Sequence, residues 1–153
     1  DLQAAIGRAQ LAALPDWQVA RARIVATYDA AFAPLIDSGA IRVPQRPDGH
    51  SLHLYQIRVR DRDGVIDRLT DRQIGTSVHF IPVHRLRGYA RVLGAQECAA
   101  VPMTDLVADE LLSLPLYPGL SDAQTERIAS HVIDAVDRFQ PRGKGMRHAA
   151  MAT

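Results

Sequence analysis

Apolar residues recur at spacings of three and four from the start of the chain: Leu2, Ile6, Ala9 and Ala13, then Trp17, Ala20, Ile24, Tyr28 and Phe32. That spacing aligns them along one stripe of an α-helix. Pro15 has no backbone N–H to donate and disfavours helix at Leu14, so the pattern predicts two helices or a kink, with Pro15 in the first turn of the second. Gln18, Arg21, Arg23 and Asp29 fall on the opposite, solvent-facing side.

Pro34, Gly39, Pro44, Pro47 and Gly49 then break the pattern, leaving a loop with a short strand at 40–43. Over 51–60 the period becomes two: His53, Tyr55, Ile57 and Val59 alternate with Leu52, Leu54, Gln56, Arg58 and Arg60, which predicts a strand. Asp63 is placed to cap a helix over 64–72 that turns Val65, Ile66 and Leu69 inward. A further strand is predicted at 76–81, ended by Pro82, with short helices at 86–93, closing near Gly94, and at 102–111. Ser121 and Gln124 have capping-box spacing, and Ile128, Val132, Ile133 and Val136 supply the buried stripe of a last helix. Beyond Phe139 the periodicity ends, and a flexible tail is expected over 140–153. The elements amount to an α+β fold: a small antiparallel or mixed sheet of about three strands, helices on one face, and a long helical arm in front.

Composition narrows the possibilities further. A formal net charge of +1, with 18 basic and 17 acidic residues interspersed, leaves no basic stripe for nucleic acid. No apolar run is long enough to span a bilayer, so no membrane partner is expected. One cysteine, Cys98, excludes an internal disulfide and a multi-cysteine zinc site, and fits a reducing, cytoplasmic setting. The first residues do not form a signal peptide. The chain enters helical patterning at once without a methionine, which raises the expectation that something upstream is removed or disordered.

The residues that could carry chemistry are few. Six histidines are present, but His79 and His84 lie five apart across a proline with no carboxylate or thiolate at ligand spacing, so no metal is expected. Read alone, His79 is a neutral, hydrogen-bonded strand histidine; His53 alternates with core positions, and His50, His131 and His148 read as surface. The glycines are too scattered for a phosphate cradle, Ser113 and Ser121 lack a nucleophile-elbow context, and Asp61 with Asp63 reads as helix capping rather than paired acid and base.

Six segments nevertheless stand in an order that resembles the carboxyl-terminal part of the DegT/DnrJ family of sugar aminotransferases. They are Asp1-Leu-Gln-Ala-Ala-Ile-Gly-Arg-Ala-Gln-Leu; His53-Leu-Tyr55 with Ile57-Arg-Val59; Arg62-Asp63; Ile74-Gly-Thr-Ser-Val-His-Phe-Ile-Pro-Val-His84; Tyr89 and Pro102; and Leu112-Ser-Leu-Pro-Leu-Tyr-Pro-Gly-Leu-Ser-Asp122. The resemblance extends to about Asp137. It implies a fold-type-I enzyme, related to aspartate aminotransferase, in which a large domain binds pyridoxal phosphate (PLP) and a small domain closes over it. On that basis residues 1–34 are connecting helices, 35–139 the small domain and 140–153 the tail.

The family's chemistry is amination of a nucleotide-linked keto sugar, with glutamate the usual donor and a lysine holding the cofactor as a Schiff base. The one lysine here, Lys144, stands between two glycines in the expected tail and does not suit that role, so no catalytic residue is assigned and the chain alone is expected to be inactive and without bound PLP. The resemblance places His79 beside the active site as a substrate-binding residue, with His84 a second candidate. At position 73 the family commonly has glycine where this chain has Gln73. A separate amino-terminal PLP-binding domain and a homo-oligomeric assembly are the implied partners; the alternative is a non-catalytic remnant acting as a binding or dimerisation module.

Overall fold

The structure, a computed structural model, describes residues 1–137, apart from the side chains of 95–99. The expected tail, Lys144 and the last two residues of the expected small domain lie outside the described residues.

Helix α1 (Leu2–Asp37) is a single helix of 36 residues, about 54 Å long at 1.5 Å per residue. Pro15 and Pro34 both lie inside it, where two helices or a kink were expected at the first. Each proline deprives a carbonyl four residues earlier of its partner, and those residues, Leu11 and Ala30, are exposed, so water can take the place of the missing N–H. The stripe on α1 is used unevenly. Ile24, Val25, Tyr28, Phe32 and Leu35 are buried, whereas Leu2 and Ile6 are 77% and 51% exposed.

Strand β1 (Tyr55–Arg58) pairs antiparallel with β2 (Leu111–Leu114), Tyr55 opposite Leu114 and Gln56 opposite Ser113. Single bridges extend this pair at both edges, Arg42 to Arg58 on one side and Ser77 to Ser113 on the other. The expected strand at 51–60 is therefore present in shorter form. The expected strands at 40–43 and 76–81 reduce to one bridge each, and the second full strand is a segment that carried no strand signal. Leu111-Leu-Ser-Leu114 follows α4 (Pro102–Glu110) directly, with no glycine or proline between them, and shows no alternation of apolar and polar residues.

Between the strands, α2 (Arg62–Asp71) begins two residues before the expected start. Asp61, not Asp63, is its N-cap, accepting from the Gly64 N–H at 3.4 Å, while Asp63 sits in the first turn and pairs with Arg62. Asp61 has the non-helical backbone a cap needs (φ −109°, ψ 63°), and a Cβ at residue 64 would collide with its carboxylate. A 3₁₀ turn (Val83–Arg85) leads into α3 (Arg87–Ala99), which Gly94 interrupts at φ 82°, near where the sequence placed its end. Finally α5 (Asp122–Asp137) starts at the predicted capping box: the Ser121 N–H donates to Gln124 Oε1 at 3.0 Å and the Gln124 N–H to Ser121 Oγ at 3.3 Å.

The core lies between one face of the sheet and α1, α2 and α5. Tyr55, Ile57, Leu112 and Leu114 point inward from the sheet, meeting Tyr28 and Phe32 of α1 and Ile128 and Val132 of α5. Tyr28, Phe32 and Tyr55 form an aromatic cluster with ring centroids 4.8–6.1 Å apart. Such ring pairs contribute about 0.5–1.5 kcal/mol each beyond the area they bury. This is an α+β fold with helices on one side of a two-stranded sheet.

Candidate functional site

Alternation along the strands leaves the second face of the sheet for other residues. Gln56 and Arg58 of β1 and Ser113 of β2 point away from the core, because their neighbours Tyr55, Ile57, Leu112 and Leu114 point into it. The edge segment beyond β2 bridges at Ser77, so His79, two residues on, returns to the same face as a diagonal neighbour of Ser113. His79 Nε2 lies 2.6 Å from Ser113 Oγ and 3.0 Å from Gln56 Nε2. Ser113 is only 4% exposed, and its backbone N–H and C=O are both taken by Ser77, at 2.8 and 3.1 Å. The hydroxyl thus faces the imidazole from a fixed strand.

His84 is held elsewhere. From the 3₁₀ turn its Nε2 reaches Asp105 Oδ1 at 2.8 Å, in the first turn of α4. Arg85 joins the same carboxylate at 2.5 Å and reaches Asp109 one turn further at 2.6 Å. Hydrogen bonds from His84 and then Arg85 hold the Asp105 carboxyl below the usual carboxylate range, and Arg85 does the same for Asp109. His79 and His84 therefore share no partner among these bonds: one is bound to the sheet, the other to α4.

A third polar cluster joins α1 to the sheet. Arg46 makes a bidentate pair with Asp29, both contacts at 2.7 Å, and stands 5.0 Å over the Tyr55 ring, whose hydroxyl donates to Asp29 Oδ1 at 2.7 Å. Burial alone would raise the Asp29 pKa, but the bonds from Arg46 and Tyr55 outweigh it and the net shift is downward. Asp29 and Arg23 were expected on the solvent side of the helix. Instead Asp29 holds this cluster, and Arg23 donates to the Leu120 carbonyl at 3.0 Å and pairs with Asp122, joining α1 to the start of α5.

In the segment that carries His79 and in α3 beyond it, apolar side chains are exposed. Phe80 is 92% exposed and Ile81 63%, with Val78, Val83, Tyr89 and Val92 also exposed. Among the described residues, no three His, Cys, Asp or Glu side chains come together as a metal site, and no helix is long and apolar enough to cross a membrane.

This arrangement, a small α+β unit with a long helix in front of it, recurs in aminotransferases of known structure. The chain is a member of the DegT/DnrJ/EryC1/StrS aminotransferase family, which it matches over residues 1–133. It is similar to the spore coat polysaccharide biosynthesis protein SpsC of Bacillus subtilis (strain 168), 40% identical over 144 residues. That match covers 89% of this chain and 36% of SpsC. Among solved structures it resembles DesV of S. venezuelae, captured with a ketimine intermediate, at 31% identity and a TM-score of 0.80, over 90% of this chain and 37% of DesV. It also resembles Spr1654 of Streptococcus pneumoniae in its PLP form, at 25% identity and a TM-score of 0.79, over 90% of this chain and 36% of that one. The chain thus spans about a third of the length of these relatives.

Aminotransferases of this family depend on PLP, but the described residues do not fit that cofactor. They include no lysine to carry it, since Lys144 lies outside them. What the geometry offers instead is a surface carrying one strand-held histidine beside exposed apolar side chains.

The pairing of Ser113 and Gln56 with His79 is absent from the sequence reading, although a signal for it existed. A lone serine within Leu-Leu-Ser-Leu marks a position that leaves the core, on the same face as Leu111, and Gln56 occupies the matching off-core position of β1.

Proposed function

We propose that this chain is the carboxyl-terminal part of a PLP-dependent aminotransferase acting on a keto sugar carried on a nucleotide. In this reading it supplies the small domain and the connecting helix, is inactive alone, and gains activity by docking on a cofactor domain within a cytoplasmic homo-oligomer. The observation that carries the proposal is one of coverage: nearly all of this chain matches little more than a third of each relative, and the described part holds no lysine.

The surface supports the same reading. The first turns of α1 and the segment around Phe80 expose apolar side chains of the sort that a neighbouring domain covers. The relatives give the chemistry its direction: SpsC is named for polysaccharide biosynthesis, and DesV was captured with a ketimine intermediate. His79 is the substrate-facing candidate, because it stands on the open face of the sheet, and His84 is the second.

The test is reconstitution. The SpsC segment that precedes its match to this chain is produced separately, and keto-sugar amination is assayed with each part alone and with both. Amination only in the mixture is expected. If the mixture stays inactive and this chain associates with itself alone, the non-catalytic dimerisation module is the better account.

A further inference from the structure

We infer that Ser113 and Gln56 are positioning residues that fix His79 in its Nδ1–H tautomer, so that the ring offers its ligand a hydrogen-bond donor. The inference rests on the reading of His79 as a ligand contact only for its use; the tautomer itself follows from the sheet. A neutral imidazole has one N–H donor and one acceptor nitrogen, and the partner of one nitrogen decides the role of the other. Nε2 faces the Ser113 hydroxyl at 2.6 Å and the amide nitrogen of Gln56 at 3.0 Å. An amide nitrogen can only donate, and a hydroxyl can donate as well, so Nε2 is matched as the acceptor and the proton resides on Nδ1.

The fixed backbone strengthens the match. Ser113 is buried in β2 with its main-chain groups paired to Ser77, so its Cα is held by the sheet and the hydroxyl is left only the rotation about χ1. Gln56 stands directly opposite on β1. Among the described residues Nδ1 has no hydrogen-bond partner, and it is not one of the buried polar atoms left unpaired. The His79 ring is partly exposed and is flanked by the exposed Val78 and Phe80. A donor held in this way suits an acceptor oxygen of a ligand approaching the open face of the sheet.

The competing arrangement is a proton on Nε2, donated to Ser113 Oγ, with the Gln56 amide reversed to present its oxygen. Nitrogen-15 NMR of the histidine rings in the intact chain separates the two. The His79 signals are assigned by their loss in His79→Gln, and spectra are taken under alkaline conditions where an ordinary imidazole is neutral. The expected result is a protonated, pyrrole-type Nδ1 and an unprotonated, pyridine-type Nε2. In the double variant Ser113→Ala with Gln56→Leu that pattern should collapse to a mixture of tautomers, with helix content by circular dichroism unchanged. A protonated Nε2 in the unmodified chain overturns the inference without any variant, as does an Nδ1–H pattern that persists in the double variant. Loss of activity in the reconstituted enzyme is a separate readout. If the unmodified chain shows the fixed tautomer and the double variant loses it while kcat/KM is undiminished, His79 is removed from the ligand site and its positioning by Ser113 and Gln56 stands.

Discussion

Gln73 is where a single residue departs most clearly from what its backbone requires. It takes φ 58° at the end of α2, with the Ile74 N–H bonded to the Leu69 carbonyl at 2.9 Å and the Gln73 N–H to that of Thr70 at 2.8 Å. This is the Schellman arrangement, completed by contact-forming positions that are both buried, Leu69 and Ile74. The left-handed region costs an L-residue roughly 1–2 kcal/mol, while the greater freedom of glycine in the unfolded chain takes back about 0.4–1. Gln73→Gly should therefore stabilise the fold by about 0.5–1 kcal/mol in a urea titration. The resemblance implied a glycine here and an altered turn with glutamine in its place; the turn is instead kept, with Gln73 in the left-handed region. Asp29 was misread for a different reason. Helical periodicity assigns it to the polar side of α1, and only the return of the loop at Arg46 and of β1 at Tyr55 gives it partners. Because the folded-state pKa of Asp29 is lowered, its contribution is complete above the unfolded carboxylate value of about 3.9 and is lost as pH falls through the folded value. Burial, and for Tyr55 the Asp29 bond, raise the pKa of Tyr28 and Tyr55, so stability also falls as pH rises beyond about 10. Urea midpoints measured across pH should decline at both ends, and Asp29→Asn should flatten the acid limb. Tyr55→Phe should cost about 1–2 kcal/mol, below the full value of a bond to a charged acceptor because Asp29 is partly solvated.

Among the elements, the helices were legible and the sheet was only partly so. The last helix shows why: Ser121 and Gln124 announce its start by local chemistry that needs no tertiary context, and the cap bonds are present. Ser121→Ala should lower stability by about 1 kcal/mol, read as a shift in the thermal midpoint. β2 is the opposite case. Leu111-Leu-Ser-Leu114 lacks period-two alternation, and it becomes a strand because β1 and the Ser77 bridge supply hydrogen-bond partners on both sides. Tertiary pairing decides such a segment, and its sequence is silent on the point. The expected strands at 40–43 and 76–81 have the converse fate: each lies at a sheet edge and keeps a single bridge. If β2 is the centre of this sheet, Leu112→Ala, at a residue with no exposed surface, should cost about 2–5 kcal/mol. Val92→Ala, on the exposed face of α3, should cost little in the isolated chain. The candidate site inherits this limit. The Val-His-Phe resemblance singled out His79 only as a candidate, and its partners Ser113 and Gln56 depend on a strand pairing that the sequence did not reveal.

At the scale of the molecule, the core gathers around Tyr28, Phe32 and Tyr55, yet among the described residues the first turns of α1 and the segment about Phe80 leave apolar surface open. Open apolar surface in a chain that spans about a third of its relatives is what the proposed docking on a cofactor domain would cover. Docking of a cofactor domain should bury both surfaces, and hydrogen exchange of residues 2–14 should slow in the mixture relative to this chain alone. In the proposed function this chain completes an aminotransferase without itself holding the cofactor. Borohydride reduction after incubation with PLP, followed by peptide mass spectrometry, tests it most directly, because reduction locks the cofactor onto whichever lysine bears it. The account predicts an adduct on the lysine of the cofactor domain in an aminating mixture, and none on this chain, alone or mixed. A stoichiometric PLP adduct on Lys144 would contradict it.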